Sequence, residues 1–143
     1  MTTSCVNFFY QDIRFPFTNR NALKSAIRLL FQREKHKLHN LNIIFCKDEA
    51  LLQINRDFLQ HDYYTDIITF PINRSKSGIE AELYISIDRV RDNAKQGAVS
   101  FRTELHRVIF HGCLHLVGYN DKSSQQIKKM REREDHYLRL YLK

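Results

Sequence analysis

The chain is poor in the residues that break regular structure, with 4 glycines and 2 prolines in 143 residues. That scarcity excludes collagen-like and low-complexity chains. With 43% hydrophobic residues there is also enough apolar surface to offset the entropy of ordering, which excludes a wholly disordered chain. Cysteine is scarce too: Cys5, Cys46 and Cys113 are odd in number and scattered, which reads as reduced thiols in a cytoplasmic setting, not as a disulfide framework. No apolar run approaches the roughly 20 residues that span a bilayer, so no membrane partner is expected. The start, Met1 to Tyr10, has no basic cluster followed by a long apolar stretch, and no signal peptide is expected. Acid is nearly absent from one region. Residues 1–47 hold eight basic against two acidic residues, whereas 48–143 hold 15 against 14. Nearly all of the net charge of +7 therefore lies in the first third. A concentrated basic surface suits a polyanion, because bound phosphates release condensed counterions. The competing reading is a solubilising face.

Hydrophobic spacing outlines the elements. Val6 to Tyr10 reads as a first strand, with a turn at Phe15-Pro16-Phe17. Leu23, Ile27 and Leu30 recur at helical spacing, so 20–36 reads as an amphipathic helix that Thr18 or Asn19 can cap, with Arg20, Lys24, Arg28 and Lys35 mostly outside the apolar stripe. Leu41 to Phe45 reads as a strand, Asp48 as the cap of a helix to Leu59, and Ile67 to Phe70 as a strand stopped by Pro71. Residues 73–80 look like a loop, Leu83 to Ile87 like a strand, and Asp88 like the cap of a helix through Ala94. Glu104 to Leu116 has the spacing of a buried helix ended by Gly118, and a charged helix runs from Ser123 or Ser124 to about Leu140, its charges read as a solvated face. No repeat, linker or boundary is visible. The expectation is one α+β domain over 1–143, about four strands in one sheet with four or five helices segregated around it.

The chemistry concentrates in that helix. His111 and His115 lie about 40° apart on one face and one turn apart, where a single ion can be shared. Gly118 allows a sharp turn, after which Asp121 can return to the same ion. Two imidazoles and a carboxylate leave a fourth position open, the arrangement of catalytic zinc sites, where metal-assisted hydrolysis is run. Cys113 lies about 200° around the helix from His111 and is expected in the core, while His106 at about 140° is expected outside the ligand set. Zinc peptidases with a His-Glu-x-x-His-x-x-Gly-x-x-His signature share the ligand spacing, but their general base follows the first His. Here that position is Gly112, which has no side chain, so the basic charge excess points to a phosphodiester substrate instead.

The run His111-Gly112-Cys113-Leu114-His115-Leu116-Val117-Gly118-Tyr119-Asn120-Asp121 resembles the signature His-Gly-x-Leu-His-Leu-x-Gly-Tyr-Asp-His of the YbeY rRNA maturation factors. Ile54-Asn55 through Asp62, then Thr65 to Pro71, is similar to that family's Leu-Asn…Lys-Asp-x-Pro-Thr-Asp-Val-Leu-Ser-Phe-Pro. Glu82 to Ser86 is similar to its Gly-Asp-Ile-x-Ile-Ser strand, and Glu104 falls at its acidic position before the metal helix. The resemblance implies an α+β fold, a mixed sheet of about four strands with helices packed on it and the metal-site helix central, and zinc at His111, His115 and the third position. It also implies a cytoplasmic, single-strand-specific endoribonuclease of small-subunit rRNA maturation and ribosome quality control, with RNA and the small subunit or its assembly factors as partners.

Three departures refine it. The third ligand is Asp121 where the family has His; a carboxylate is an acceptable zinc ligand, but the drop in site charge should make a bound water less acidic, and two His with one carboxylate also suits Fe(II), so iron or nickel stays open beside zinc. Asn120 replaces an Asp beside the ligands. Leu59 stands where the family places an arginine able to hold phosphate by bidentate hydrogen bonds. On the same helix Arg56 could substitute, and His61, at the family's lysine position, is a second candidate phosphate contact. The general acid is open among His106, Glu104 and lysines. Leu59 also motivates a second reading, an RNA- or ribosome-binding assembly factor whose metal site is structural or vestigial.

Overall fold

The computed structural model describes residues 5–142. Strand β1 (Cys5–Tyr10) leads to helix α1 (Arg20–Arg33), β2 (Leu38–Cys46) and α2 (Asp48–Leu59). The hairpin β3 (Ile67–Ser75) and β4 (Gly78–Ser86) follows, then α3 (Ile87–Gln96), α4 (Phe101–Leu116) and α5 (Ser124–Tyr141). The strands form one sheet in the order β1-β2-β4-β3. β1 and β4 run parallel to β2, and β3 pairs antiparallel with β4, so the sheet is mixed and the fold is α+β as expected.

Alternation along β2 and β4 sends Leu41, Ile43, Phe45, Leu83 and Ile85 to one face, where they are fully buried with Leu23 and Ile27 of α1 and Ile109 and Phe110 of α4. Each such side chain contributes about 1.5–3 kcal/mol. The opposite face is covered only in part, by α2, through Leu51 against Cys46 and Ile68. Gly112 explains how α4 comes so close to the sheet. A Cβ there would stand 2.7 Å from Ile67 Cδ1 and 3.0 Å from both Leu83 methyls. The position faces the sheet, so a glutamate could not stand there as a general base.

Several boundaries differ from the sequence reading. Pro71 does not stop a strand. It lies within β3, an edge strand where a missing N–H is tolerated, and the register shifts just after it, between Pro71 and Asn73. Residues 73–80 are therefore mostly the paired arms of the β3–β4 hairpin. Asp48 and Asp88 are not caps. Lys47 is the N-cap of α2 without a side-chain bond, and Ser86 caps α3 by accepting from Arg89 N. The two aspartates instead tie α2 to α3: Asp48 accepts from Ser86 Oγ at 3.0 Å and Arg89 at 2.7 Å, and Asp88 accepts from Asp48 N at 3.0 Å. α4 begins earlier than Glu104, because Ser100 accepts from Thr103 N. Among the described residues no helix is long and apolar enough to cross a membrane.

Candidate metal centre

The C-terminal half of α4 presents His111 and His115 on one face, with ring centroids 4.6 Å apart. Gly118 takes φ +105°, which turns the chain so that Asp121 comes back over them. The two Nε2 atoms are 3.1 Å apart, and Asp121 Oδ2 lies 3.3 Å from His111 Nε2 and 3.4 Å from His115 Nε2. A tetrahedral ion with bonds of about 2.0–2.1 Å has ligand–ligand edges of about 3.3–3.4 Å. The separations of the three atoms thus fit one face of such a tetrahedron. The atoms form a ligand group able to hold a metal.

Two layers of contacts hold this geometry, one from α5 and one from the end of α1 together with α5. The first is Glu134, expected in the solvated face of that helix but in fact buried, with 4% of its surface exposed. Its Oε2 lies 2.6 Å from His111 Nδ1 and its Oε1 3.2 Å from Arg107 Nη1. With the imidazole donating from Nδ1, the Nε2 lone pair is left to face the ion, which is how carboxylates orient metal-bound histidines. Arg107 is held in turn by Asp135 at 2.8 Å. The second layer braces the turn that carries Asp121. Glu34, at the end of α1, accepts from Tyr119 at 2.8 Å, from Arg133 at 2.7 Å and from Tyr137. Burial alone would raise the Glu34 pKa, but these donors outweigh it and hold the carboxylate below its usual range.

Electrostatics favour a cation in this place. Six carboxylates and three basic side chains line the cleft beside the triad, a negative balance inside a chain of net charge +7. Burial works against a charge on His111, yet the hydrogen bond and charge of Glu134, with Asp121 and Asp66 nearby, raise its pKa above the usual value. The site attracts positive charge, and a bound divalent ion would supply it in place of the proton. Asp66, half-buried just before β3, and Glu104 line the same cleft; burial raises both pKa values, Glu134 pushes both further up, and Asp66 does the same to Glu104.

The other residues singled out from the sequence fall as follows. Cys113 is buried in the core, its thiol pKa pushed up by burial. His106 lies 1% exposed, its ring against Tyr141 at 4.7 Å and its Nδ1 without a hydrogen-bond partner, so it is no general acid for this cleft, whereas Glu104 lines it. Arg56 and His61 do not line the cleft. Both are exposed, Arg56 paired with Asp62 and His61 stacked on Tyr63. Leu59 is exposed near them, at the end of α2. Glu134, Arg107 and Asp66 were missed as parts of a site. A signal existed for two of them. Glu134 sits on the apolar stripe of α5 between Met130 and Leu138, and Arg107 precedes His111 by one turn on its own face.

Residues 7–141 match the family described as endoribonuclease YbeY. A curated endoribonuclease YbeY of Cytophaga hutchinsonii is 46% identical over 140 residues, covering 98% of each chain. That of Amoebophilus asiaticus is 41% identical, covering 96% of this chain and 94% of its own, and that of Parabacteroides distasonis 40% identical over 93% of each. The solution structure of a Thermotoga maritima protein shares the fold with a TM-score of 0.61 at 24% identity, covering 93% of this chain and 86% of its own.

Proposed function

The chain belongs to the endoribonuclease YbeY family, RNA-cleaving hydrolases, and from that premise we propose a zinc-dependent enzyme that cuts single-stranded RNA. His111, His115 and Asp121 would hold the ion. We further propose action on small-subunit rRNA during maturation and ribosome quality control, in the cytoplasm, with the small subunit or its assembly factors as partners. The observation that carries the metal-dependent reading is the triangle of ligand atoms, with sides of 3.1, 3.3 and 3.4 Å, braced by a buried carboxylate.

A divalent ion bound there supplies Lewis acidity toward water and a phosphoryl oxygen. This chain's own residues do the rest. Glu134 keeps the His111 proton on Nδ1 and its ring in place. The Glu34 cluster keeps Tyr119, and so the Asp121 turn, from opening. Lys128 and Arg131 at the cleft rim attract the backbone without reading bases. Glu104, its carboxyl pKa raised, is the side chain suited to hand a proton to a leaving 5′-oxygen. With Asp121 in place of a third imidazole, a loaded site would carry less net positive charge and would acidify water less.

The test is cleavage of a labelled single-stranded RNA by the purified chain with and without chelator, alongside elemental analysis. Chelator-sensitive cleavage, abolished in Asp121→Ala, is expected; cleavage that ignores both overturns the metal reading. The second reading, an assembly factor without turnover, draws on exposed Leu59 at the end of α2. It predicts salt-sensitive RNA binding and no cleavage with zinc bound.

A further inference from the structure

The segment joining α2 to β3 carries a feature that the metal centre does not use. Phe58, Tyr63 and Tyr64 are 71%, 55% and 49% exposed. Three aromatic rings so exposed within seven residues of one segment mark a contact site. The rings are displayed by a held backbone. Asn55, buried on α2, donates from Nδ2 to the Tyr63 carbonyl at 2.9 Å, and its own carbonyl accepts from His61 N at 3.0 Å. Each ring is also backed on one side. Tyr63 lies nearly parallel to His61, with centroids 5.1 Å apart and 19° between planes; Arg89 sits 5.3 Å from the Tyr64 centroid; and Phe58 meets Phe70 edge-on at 6.2 Å. The rest of each ring faces water.

Position and charge narrow the occupant. Tyr64 is two residues from Asp66, about 7 Å of chain at most, and Asp66 lines the cleft of the candidate metal centre. The nearest cations are already engaged, Arg56 with Asp62 and Arg89 with Asp48, so this surface offers ring faces more than free positive charge. Exposed rings on the segment that leads into the cleft at Asp66 suit bases of a single strand, because every base has a π-face and stacks without regard to sequence.

We propose that Phe58, Tyr63 and Tyr64 form a stacking platform for bases of single-stranded RNA next to the scissile bond, a subsite that rests on the ribonuclease reading given above. Binding there depends on the rings, not on the tyrosine hydroxyls, and only weakly on salt.

The experiment measures anisotropy of a labelled single-stranded oligonucleotide with nuclease-resistant 2′-O-methyl sugars on the full zinc-loaded chain. Tyr63→Ala and Tyr64→Ala should each weaken binding roughly 10-fold, while Tyr63→Phe and Tyr64→Phe bind as the parent does. An oligonucleotide with abasic sites should lose affinity for the parent and almost none for the double alanine variant. Zinc content and RNA-independent stability, measured in parallel, should match the parent. A parent that binds RNA as tightly as the double alanine variant does overturns the platform and leaves the ribonuclease reading intact. A parent that neither binds nor cleaves RNA sinks both. Unchanged RNA affinity with a parent dimer that the alanine variants dissolve would instead assign the patch to a second copy of the chain.

Discussion

Around His111, His115 and Asp121 most polar groups are tied to another, and the carboxylate that orients His111 is 4% exposed; around Tyr63 and Tyr64, one short loop away, the rings stand largely in solvent. The contrast follows from what each region has to meet. An ion demands ligand atoms within a few tenths of an ångström, so the side chains that hold it need a second tier of buried hydrogen bonds. A flexible strand adapts to the protein, so the surface meeting it needs only a fixed backbone and accessible rings. One region spends burial on geometry, and the other keeps its surface available.

The largest expected effect breaks the rigid side. Asp121→Ala should lose zinc and reduce cleavage more than about 100-fold, while Tyr63→Ala leaves the zinc content untouched, as read by elemental analysis and single-turnover assays. Glu134→Gln should come next. It weakens the orientation of His111 and leaves Arg107 short of a partner, so metal affinity should drop about 10- to 100-fold in a competing-chelator titration. The same substitution should cost about 1–3 kcal/mol in urea denaturation, because it weakens buried charge-assisted hydrogen bonds to His111 and to Arg107, which keeps Asp135. Gly112→Ala should then destabilise by about 1–3 kcal/mol, since the added methyl must push aside Ile67 and Leu83. Equal stability would show that α4 can move off the sheet freely.

A pH experiment separates the core of α4 from its metal face. His106 is buried, and burial, helped by the charge of Arg102, lowers its pKa from 6.5 to about 4. Between those values the unfolded chain binds the extra proton. His106 therefore leaves stability intact above pH 6.5 and erodes it as the pH falls toward 4, by on the order of 3 kcal/mol in all. His106→Leu should flatten that part of a pH–denaturation profile; an unchanged slope would contradict it. The smallest expected effect is on the open side. Leu59→Arg adds one phosphate contact, so the salt slope of RNA binding should steepen by about one counterion and affinity rise a few-fold. If cleavage also rises, the missing arginine limits turnover; if binding alone rises, the assembly-factor reading gains.

Much of the site was readable from residue spacing. His111 and His115 sit one turn apart because 3.6 residues make a turn, and Gly118 followed by Asp121 announces a chain reversal. The alternation of Leu41, Ile43 and Phe45 marked a strand for the same kind of reason. Local pattern misled where a partner strand or helix decided the outcome. Pro71 looked like a strand end but sits on an edge strand, where its lost N–H is tolerated and the pairing with β4 resumes after a register shift. Asp48 looked like a cap but answers to Ser86 and Arg89 across from it.

The sequence by itself determined the helix that carries both histidines and the turn that frees Asp121, since each depends on periodicity or on one residue's backbone freedom. Only the tertiary structure decided that Glu134 is a buried anchor and not a solvated charge, that Glu34 reaches Tyr119 from 85 residues away in the chain, and that Glu104 rather than His106 faces the cleft. The physical reason is common to all three. A charge on a helix has no fixed meaning until another element packs against it and removes its water, and which element does so is written in no local stretch of the chain.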